Sequence, residues 1–363
     1  MSCALEGVRI VDFSRVLAGP YATMLLADLG ADVVKIEHPD RGDDTRAWGP
    51  PYAGEQSTYF AAVNRNKRSV AIDLATVDGR SAAAELVRTA DVVVQNLRPG
   101  AMARFGLGPD DVAALNPRAV YCSISGFGAG LGADLPGYDL LAQAVGGLMS
   151  VTGPPDEPQK AGVAVVDVIT GLHATVGILA ALRHRERTGE AQHVEVNLLS
   201  SILSALVNQA SGYVAGGVVP QRMGNRHPSV APYEVYPVRD GSLVIAVGND
   251  RQFLAMCAVL DVDLGGDARF ATNPARVANR DAMNAVLGEA LAPRDAADWF
   301  ARLSAAGVPC GPINDVAAAF ALATRLGLDP VADAAGSPQV ANPIRLSATP
   351  PTYRLAPPDL GSG

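Results

Sequence analysis

Asp167 is the residue of this chain whose surroundings point most clearly to chemistry. It stands within a long apolar run, AGVAVVDVITGLHATVGILAAL, where a carboxylate is costly unless it is hydrogen-bonded, paired or used. Aspartate favours helix starts and a long apolar stretch follows, so we place Asp167 near a helix N-terminus. There the helix dipole and free backbone N–H groups are expected to hold the carboxylate ionised.

An ionised and largely desolvated carboxylate is suited to nucleophilic attack. Gly146 and Gly147 form a turn ahead of Asp167, and their backbone N–H groups are candidate donors to an oxyanion. The alternative interpretation is that Asp167 only caps a helix. Local sequence favours that alternative, because helix caps far outnumber nucleophiles in proteins.

The elements that must position these residues alternate between strand and helix. Residues 8–13 (VRIVDF) and 32–37 (DVVKIE) have the pattern of buried strands and residues 21–29 that of a helix, which makes a βαβ unit. The alternation continues to residue 123 and predicts a doubly wound, Rossmann-like α/β domain. A dinucleotide site is not supported, because the turn SRVLAGP after the first strand lacks G-x-G-x-x-G. Glu37, at the distance of a ribose-binding acid, is interpreted as a strand-end residue.

The length of 363 residues predicts more than one domain. We expect a large α/β domain at residues 1–207 and a linker at 208–232. A small α+β domain follows at 233–325, and a C-terminal segment, 326–363, returns to the large domain. Asp240-Gly241, between two apolar runs, predicts a β-hairpin in the small domain.

The composition argues against several classes of protein. A net charge of −8 argues against a nucleic-acid partner. The four cysteines are far apart and form no C-x-x-C, so neither a disulfide framework nor a zinc site is indicated, and a cytoplasmic location fits. Early charged residues argue against a signal peptide. Asp167 and His173 interrupt the longest apolar run, so we expect a buried helix there and no membrane span.

Seven segments stand in order between about residues 5 and 350. They are LEGVRIVDFSRVLAGPYATMLLADLGADVVKIE, STYFAAVNRNKRSVAIDL, DVVVQNLRPGAMARFG, PGYDLLAQAVGGLMSVTG, GVAVVDVITGLHATVGILAAL, RMGNRHPSVAPY and GVPCGPI. Together they resemble the class III CoA-transferases, a superfamily that also includes α-methylacyl-CoA racemases. The resemblance implies a Rossmann-like large domain, a smaller α+β domain and a homodimer whose two chains are interlaced.

The resemblance also implies roles for individual residues. Asp167 falls on the nucleophilic aspartate of the family, which overturns the helix-cap interpretation, and Tyr138 matches the aromatic residue beside that nucleophile. Pro136 and His38 stand where family members have cations, so the chain departs from the pattern at both. The family's CoA contacts fall on Val16, Leu17, Ala18, His38, Ile72, Asn96, Leu97 and Arg104.

The implied reaction is transfer of CoA from an acyl-CoA donor to a carboxylic acid. Asp167 would form a mixed anhydride and then an aspartyl-CoA thioester, and neither a metal nor NAD is expected to take part. Racemisation is the alternative within the superfamily, whose racemases carry His-Asp where this chain has Tyr138-Asp139. A phenol ordinarily titrates near ~10 and is a poor base at neutral pH. A non-catalytic CoA-binding protein and a nicotinamide oxidoreductase are alternatives from other classes.

The acceptor acid is indicated by residues 222–228 (RMGNRHP), which resemble members that use succinyl-CoA with dicarboxylic acids. A distal carboxylate needs a cation, and arginine can hold it through two parallel hydrogen bonds. Arg222 and Arg226, with His227 as a helper, are therefore the candidates. The alternative is a turn with solvated arginines.

Overall fold

The computed structural model describes residues 3–363, which form two compact units. The first unit takes in the chain up to Met149 together with Lys160–Pro220 and Asp329–Gly363. The second unit consists of Ser150–Gln159 and Gln221–Leu328.

A six-stranded sheet forms the centre of the first unit. Its strands are all parallel and run in the spatial order β5-β2-β1-β6-β7-β8. Numbered within this sheet alone, the order is 3-2-1-4-5-6, the arrangement of a doubly wound sheet. The predicted α/β architecture is confirmed. The strands are β1 (Arg9–Asp12), β2 (Asp32–Glu37), β3 (Tyr52–Ala53), β4 (Gln56–Ser57), β5 (Lys67–Ala71), β6 (Val92–Gln95), β7 (Val120–Ser125) and β8 (His193–Asn197), of which β3 and β4 pair separately.

Helices cover both faces of this sheet, because its strands are apolar on both sides. Val92 and Val94 of β6 pack into one core with the helices α1 and α8, whereas Val93 packs into a second core with α3 and α5. The helices before residue 220 are α1 (Ala18–Asp28), α2 (Thr58–Ala61), α3 (Val77–Arg88), α4 (Ala101–Arg104), α5 (Pro109–Leu115), α6 (Asp139–Val145), α7 (Leu148–Val151), α8 (Val165–Thr188), α9 (Leu198–Ala205) and α10 (Val207–Gly216).

Helix α8 contains the long apolar run of the sequence. By length and composition it is able to cross a membrane, as is the bent pair α9–α10. Ala174, Ile178 and Ala181 of α8 are nevertheless fully buried in the core beside the sheet. This burial agrees with the predicted core helix.

The second unit is built on a three-stranded antiparallel sheet. Its strands β9 (Tyr233–Val238) and β10 (Gly241–Ala246) form the hairpin predicted from Asp240-Gly241, and β11 (Cys310–Pro312) pairs with β10. The hydrophobic core of this unit is centred on Leu243, Met256 and Leu287. Its helices are α11 (Asp250–Leu260), α12 (Asn273–Ala278), α13 (Arg280–Leu291), α14 (Ala296–Ala305) and α15 (Val316–Arg325).

The C-terminal segment belongs to the first unit. After a hairpin of β12 (Val331–Ala334) and β13 (Ser337–Val340), Asn66 Oδ1 accepts the backbone N–H of Arg354 at 2.6 Å. The N–H of Gly363 donates to the carbonyl of Ser69 at 2.8 Å. Most of α10 falls within the stretch expected as linker, 208–232.

Candidate active site

A cavity of about 430 Å³ lies at the carboxyl ends of three sheet strands. Its walls include residues 15–18 after β1, residues 96–99 after β6, and residues 124–128 at the end of β7. Strands β1 and β6 are the neighbours at which the strand order reverses. Ligands of doubly wound sheets bind in the crevice at such a point.

Asp167 lines this cavity from the first turn of α8. The position predicted for it, at a helix N-terminus, is confirmed. The cap itself is supplied by Asp139, the first residue of α6. Asp139 Oδ1 accepts the backbone N–H of Val166 at 2.8 Å and that of Asp167 at 3.2 Å.

The carboxyl group of Asp167 is not held ionised in the way the sequence led us to expect. Burial, with the negative charge of Asp139 as a second cause, raises the pKa of Asp167 to about 7. The expectation was wrong because burial disfavours the charged form and the charge of Asp139 adds to this effect, while Asp139 also accepts N–H groups of the first turn. No Lys, Arg or His side chain between residues 3 and 363 forms an ion pair with Asp167.

Several residues assigned by resemblance line the cavity with Asp167. Leu17 and Ala18 are buried, and the side chain of Tyr138 is 63% exposed. The full set that the structure brings together is Val16, Leu17, Ala18, Asn96, Leu97, Tyr138 and Asp167.

Other candidates lie outside the lining of this cavity, and their roles stay predictions. Gly146 ends α6 and is packed so tightly that an added Cβ would lie 2.4 Å from Ile202, while Gly147 follows it with a φ of +88°. Ile72 is buried in the core beside α3. His38 and Arg104 lie after β2 and at the end of α4, respectively.

The three candidates for acceptor binding all lie in the second unit. Arg222 donates to the carbonyl oxygens of Pro154 at 3.1 Å and Pro155 at 2.8 Å. Arg226 pairs with Glu234 at 3.3 Å and Asp281 at 3.1 Å. The ring of His227 packs against that of Tyr233. The charge of Arg226 is therefore balanced by carboxylates, whereas the partners of Arg222 are neutral.

The cavity loop after β1 is held in a strained conformation. Val16 has a φ of +69°, a left-handed backbone that a β-branched residue rarely adopts. Its N–H donates to the Asp43 carboxylate at 3.2 Å, and Lys35 Nζ bridges that carboxylate and the carbonyl of Ser14 at 2.8 and 2.9 Å. Lys35 and Asp43 are both fully buried. A buried ion pair thus fixes the conformation of the loop.

Some cavity residues were not singled out by sequence reasoning. Trp48 comes from the long connection after β2, and Ser125 and Phe127 come from the end of β7. Arg15 and Arg98 are the two cations in the lining. Arg15 pairs with Asp44 at 3.3 Å, whereas Arg98 has no carboxylate partner in the described part of the chain. Arg98 belongs to residues 96–100, which the sequence placed where a phosphorylated ligand would lie because they follow a strand, whereas Arg15 was not predicted to take part.

The model of CoA-transferase family III matches residues 5–363. The chain belongs to CoA-transferase family III. Its membership makes the protein an enzyme that transfers CoA, and the CoA-transferase cavity at the strand ends is its candidate active site.

Similar proteins carry related activities in their names. A succinate–glutarate CoA-transferase of Agrobacterium fabrum is 44% identical over 371 residues, which cover 98% of this CoA-transferase and 93% of the relative. An acetyl-CoA:oxalate CoA-transferase of Acetobacter aceti is 41% identical, over 94% of this chain and 89% of its own. The crystal structure of a CAIB/BAIF family protein from Brucella suis superposes with a TM-score of 0.90 at 44% identity, covering 100% and 97% of the two chains.

Proposed function

We propose that this CoA-transferase moves CoA from succinyl-CoA to a dicarboxylic acid, with Asp167 as the nucleophile. The observation that carries the proposal is the position of Asp167. It is a largely buried carboxylate without a cationic partner among residues 3–363, and it lines a cavity formed by the loops after β1, β6 and β7. A group with a strongly shifted pKa in a cavity is a candidate for catalysis.

The reaction proceeds in two symmetrical halves. An Asp167 carboxylate oxygen attacks the thioester carbon of the donor, the C–S bond breaks, and CoA thiolate leaves behind a mixed anhydride. The thiolate then attacks the carbonyl carbon of Asp167 and expels the donor acid, which gives an aspartyl-CoA thioester. The acceptor carboxylate attacks that same carbon and releases thiolate, which finally takes the acyl group of the acceptor and frees Asp167. Covalent catalysis conserves the energy of the thioester through every step.

CoA is the only cofactor-like molecule in this scheme. The reaction as written requires neither a metal nor NAD. Arg98 and Arg15 line the cavity from the loops after β6 and β1. Both are suited to bind the phosphate groups of CoA. Arg98 is the stronger candidate, because Arg15 already pairs with Asp44. No cluster of three or more metal-ligating side chains occurs in residues 3–363.

The acceptor class is supported by the names of the relatives, which include glutarate and oxalate as acids. Within this chain, Arg222 is the better candidate for the distal carboxylate. Its hydrogen bonds go to neutral carbonyl groups, so its charge is available to an anion, whereas Arg226 already has two carboxylate partners.

A homodimer in the cytoplasm completes the proposal. Helices α8, α9 and α10 expose apolar side chains, among them Val176 at 65%, Val207 at 70% and Val214 at 81%. An exposed apolar surface of this kind marks a protein–protein interface, and a second interlaced copy of the chain would cover it. The four cysteines are all free thiols, which fits a reducing compartment.

The test is an assay of succinyl-CoA against a panel of mono- and dicarboxylic acids, with the new acyl-CoA identified by mass spectrometry. We expect transfer to dicarboxylates, and a KM for the acid that rises at least about tenfold in Arg222→Ala. Arg239→Ala, which removes an arginine paired with Asp295 at the surface, is the matched control and should leave that KM unchanged. Preference for monocarboxylates would overturn the acceptor class. Solvent deuterium entering the α-carbon of a chiral 2-methylacyl-CoA would instead favour racemisation.

A further inference from the structure

Asp139 makes contacts that the proposed reaction does not use. One of its carboxylate oxygens, Oδ1, accepts the N–H groups of Val166 and Asp167. Its other oxygen, Oδ2, accepts a hydrogen bond from Gln143 Nε2 at 2.6 Å. Both oxygens are thus occupied by donors, and the carboxylate has one fixed orientation.

Gln143 connects this carboxylate to the chain that leads into α8. The side chain is buried, and its Oε1 accepts the backbone N–H of Ala161 at 2.8 Å. The approach to the helix and the first turn of the helix are therefore held by the same pair of side chains on α6. Asp167 is the third residue of α8, so its direction into the cavity depends on this support.

We infer that Asp139 is a positioning residue for Asp167, which fixes the first turn of α8 and places a second negative charge beside the reacting carboxylate. The inference rests on the proposed function, in which Asp167 is the nucleophile. Free N–H groups at a helix start stabilise an anion and make it less reactive. By accepting those N–H groups itself, Asp139 withholds them from Asp167, and its charge adds to the basicity of the nucleophile.

The charged and titratable groups around Asp167 are consistent with this role. Asp139 and Tyr138 approach from α6 and the residue before it, and Tyr59 approaches from α2. Burial, and after it the charge of Asp167, raises the pKa of Tyr59 to about 12, so its phenol stays neutral. Arg15, Asp44 and Arg98 also line the cavity, but neither arginine pairs with Asp167 in residues 3–363.

The experiment compares the pH dependence of kcat/KM, which reports the titration of the free enzyme, in the wild type, Asp139→Asn and Asp139→Ala, with CoA-induced stabilisation as the check on folding. In the wild type a pKa of about 7 leaves about a tenth of Asp167 ionised at pH 6, so kcat/KM there should be about a tenth of its plateau. Asparagine keeps an oxygen that accepts the two N–H groups, but it removes the charge and the oxygen that accepts from Gln143. We expect the acidic limb of Asp139→Asn to move to lower pH, because the charge that adds to the effect of burial is lost.

Asp139→Ala should show the same movement of the limb and, in addition, a lower plateau, because the first turn of α8 loses its cap. An Asp139→Asn profile that superimposes on the wild type would overturn the inference. An acidic limb near pH 4 in the wild-type profile would also overturn it. That measurement needs no variant, so it tests the inference even if both substitutions impair folding. Covalent trapping on Asp167 distinguishes a failure of the role of Asp139 from a failure of the proposed function. If the adduct forms while the profile stays unchanged, only the role of Asp139 fails, and if no adduct forms, the proposed function fails.

Discussion

The side chain of Asn96 forms hydrogen bonds with both polar atoms of the Arg15 backbone. Its Nδ2 donates to the Arg15 carbonyl at 2.7 Å, and its Oδ1 accepts the Arg15 N–H at 2.8 Å. The two residues follow β1 and β6, the strands at which the sheet order reverses. Asn96 therefore joins two of the loops that form the cavity, in addition to lining it.

Asn96→Ala should weaken CoA binding without slowing the chemical step. Two neutral hydrogen bonds are lost, each worth about 1 kcal/mol, and the loop carrying Val16 becomes free to leave its strained conformation. We expect the KM for succinyl-CoA to rise about tenfold, with kcat changed less than about twofold.

The matched control for Asn96→Ala is Asn116→Ala. Asn116 donates to the carbonyls of Val87 and Ala90, and it does not line the cavity. The free energy of unfolding of Asn116→Ala should fall by about as much as that of Asn96→Ala, while its KM for succinyl-CoA stays at the wild-type value. An equal rise of KM in both variants would show that Asn96 has only a general structural role.

The buried pair of Lys35 and Asp43 should be essential to the stability of the first unit. Burial lowers the pKa of Lys35, but the carboxylates of Asp43, Asp12 and Glu37 outweigh this effect and raise that pKa above its usual value. Lys35→Met would leave Asp43 buried with an unpaired charge, at a cost of about 3–5 kcal/mol in the free energy of unfolding. Urea denaturation measures this cost. In Lys35→Met/Asp43→Asn we expect a smaller loss, and a double variant no more stable than Lys35→Met would contradict the pairing.

Asp167 should make the fold less stable as the pH rises. Its folded pKa of about 7 lies above the ordinary value near ~3.9, so the folded protein binds this proton more tightly than the unfolded chain. For this group alone, stability is greatest below the ordinary value and is lost as the pH rises through about 7. Asp167→Asn, which carries no charge, should therefore raise Tm by at least about 4 °C at pH 8 and by much less at pH 5.

Thermal unfolding at the two pH values tests this stability effect. Asp78→Asn is the control, because Asp78 also lies in the first turn of a helix, α3, but is exposed. That variant should show no gain at pH 8. A Tm difference between Asp167→Asn and the wild type that is the same at pH 5 and pH 8 would rule out the raised pKa.

Local sequence was sufficient to predict those elements whose structure depends on residues nearby in the chain. The apolar runs at 8–13 and 32–37 predicted parallel strands, and the apolar run after Asp167 predicted its place at a helix start. The hydrogen bonds of Asp139 to α8 span 27 and 28 residues, and no periodicity reveals a cap from so far away. The ionised state expected for Asp167 was wrong because burial raises its pKa and the charge of Asp139 adds to that effect.

The strained conformation of the loop after β1 could not be predicted from the sequence either. Valine is among the residues least expected at a positive φ, so Val16 gave no signal of a left-handed backbone. That conformation depends on Asp43, Lys35 and Asn96, which come from three other places in the chain. Trp48 likewise reaches the cavity only through the folding of the long connection after β2.

Covalent trapping on Asp167 tests directly whether this carboxylate is the nucleophile. The wild type is incubated with succinyl-CoA without an acceptor acid, treated with borohydride, and digested for peptide mass spectrometry. Borohydride reduces an aspartyl thioester to the alcohol, so the peptide containing Asp167 should carry homoserine at that position, in amounts that depend on succinyl-CoA. Asp167→Ala should bind CoA, show no transfer and yield no reduced peptide. Undiminished transfer by Asp167→Ala, or reduction at another carboxylate, would contradict the account.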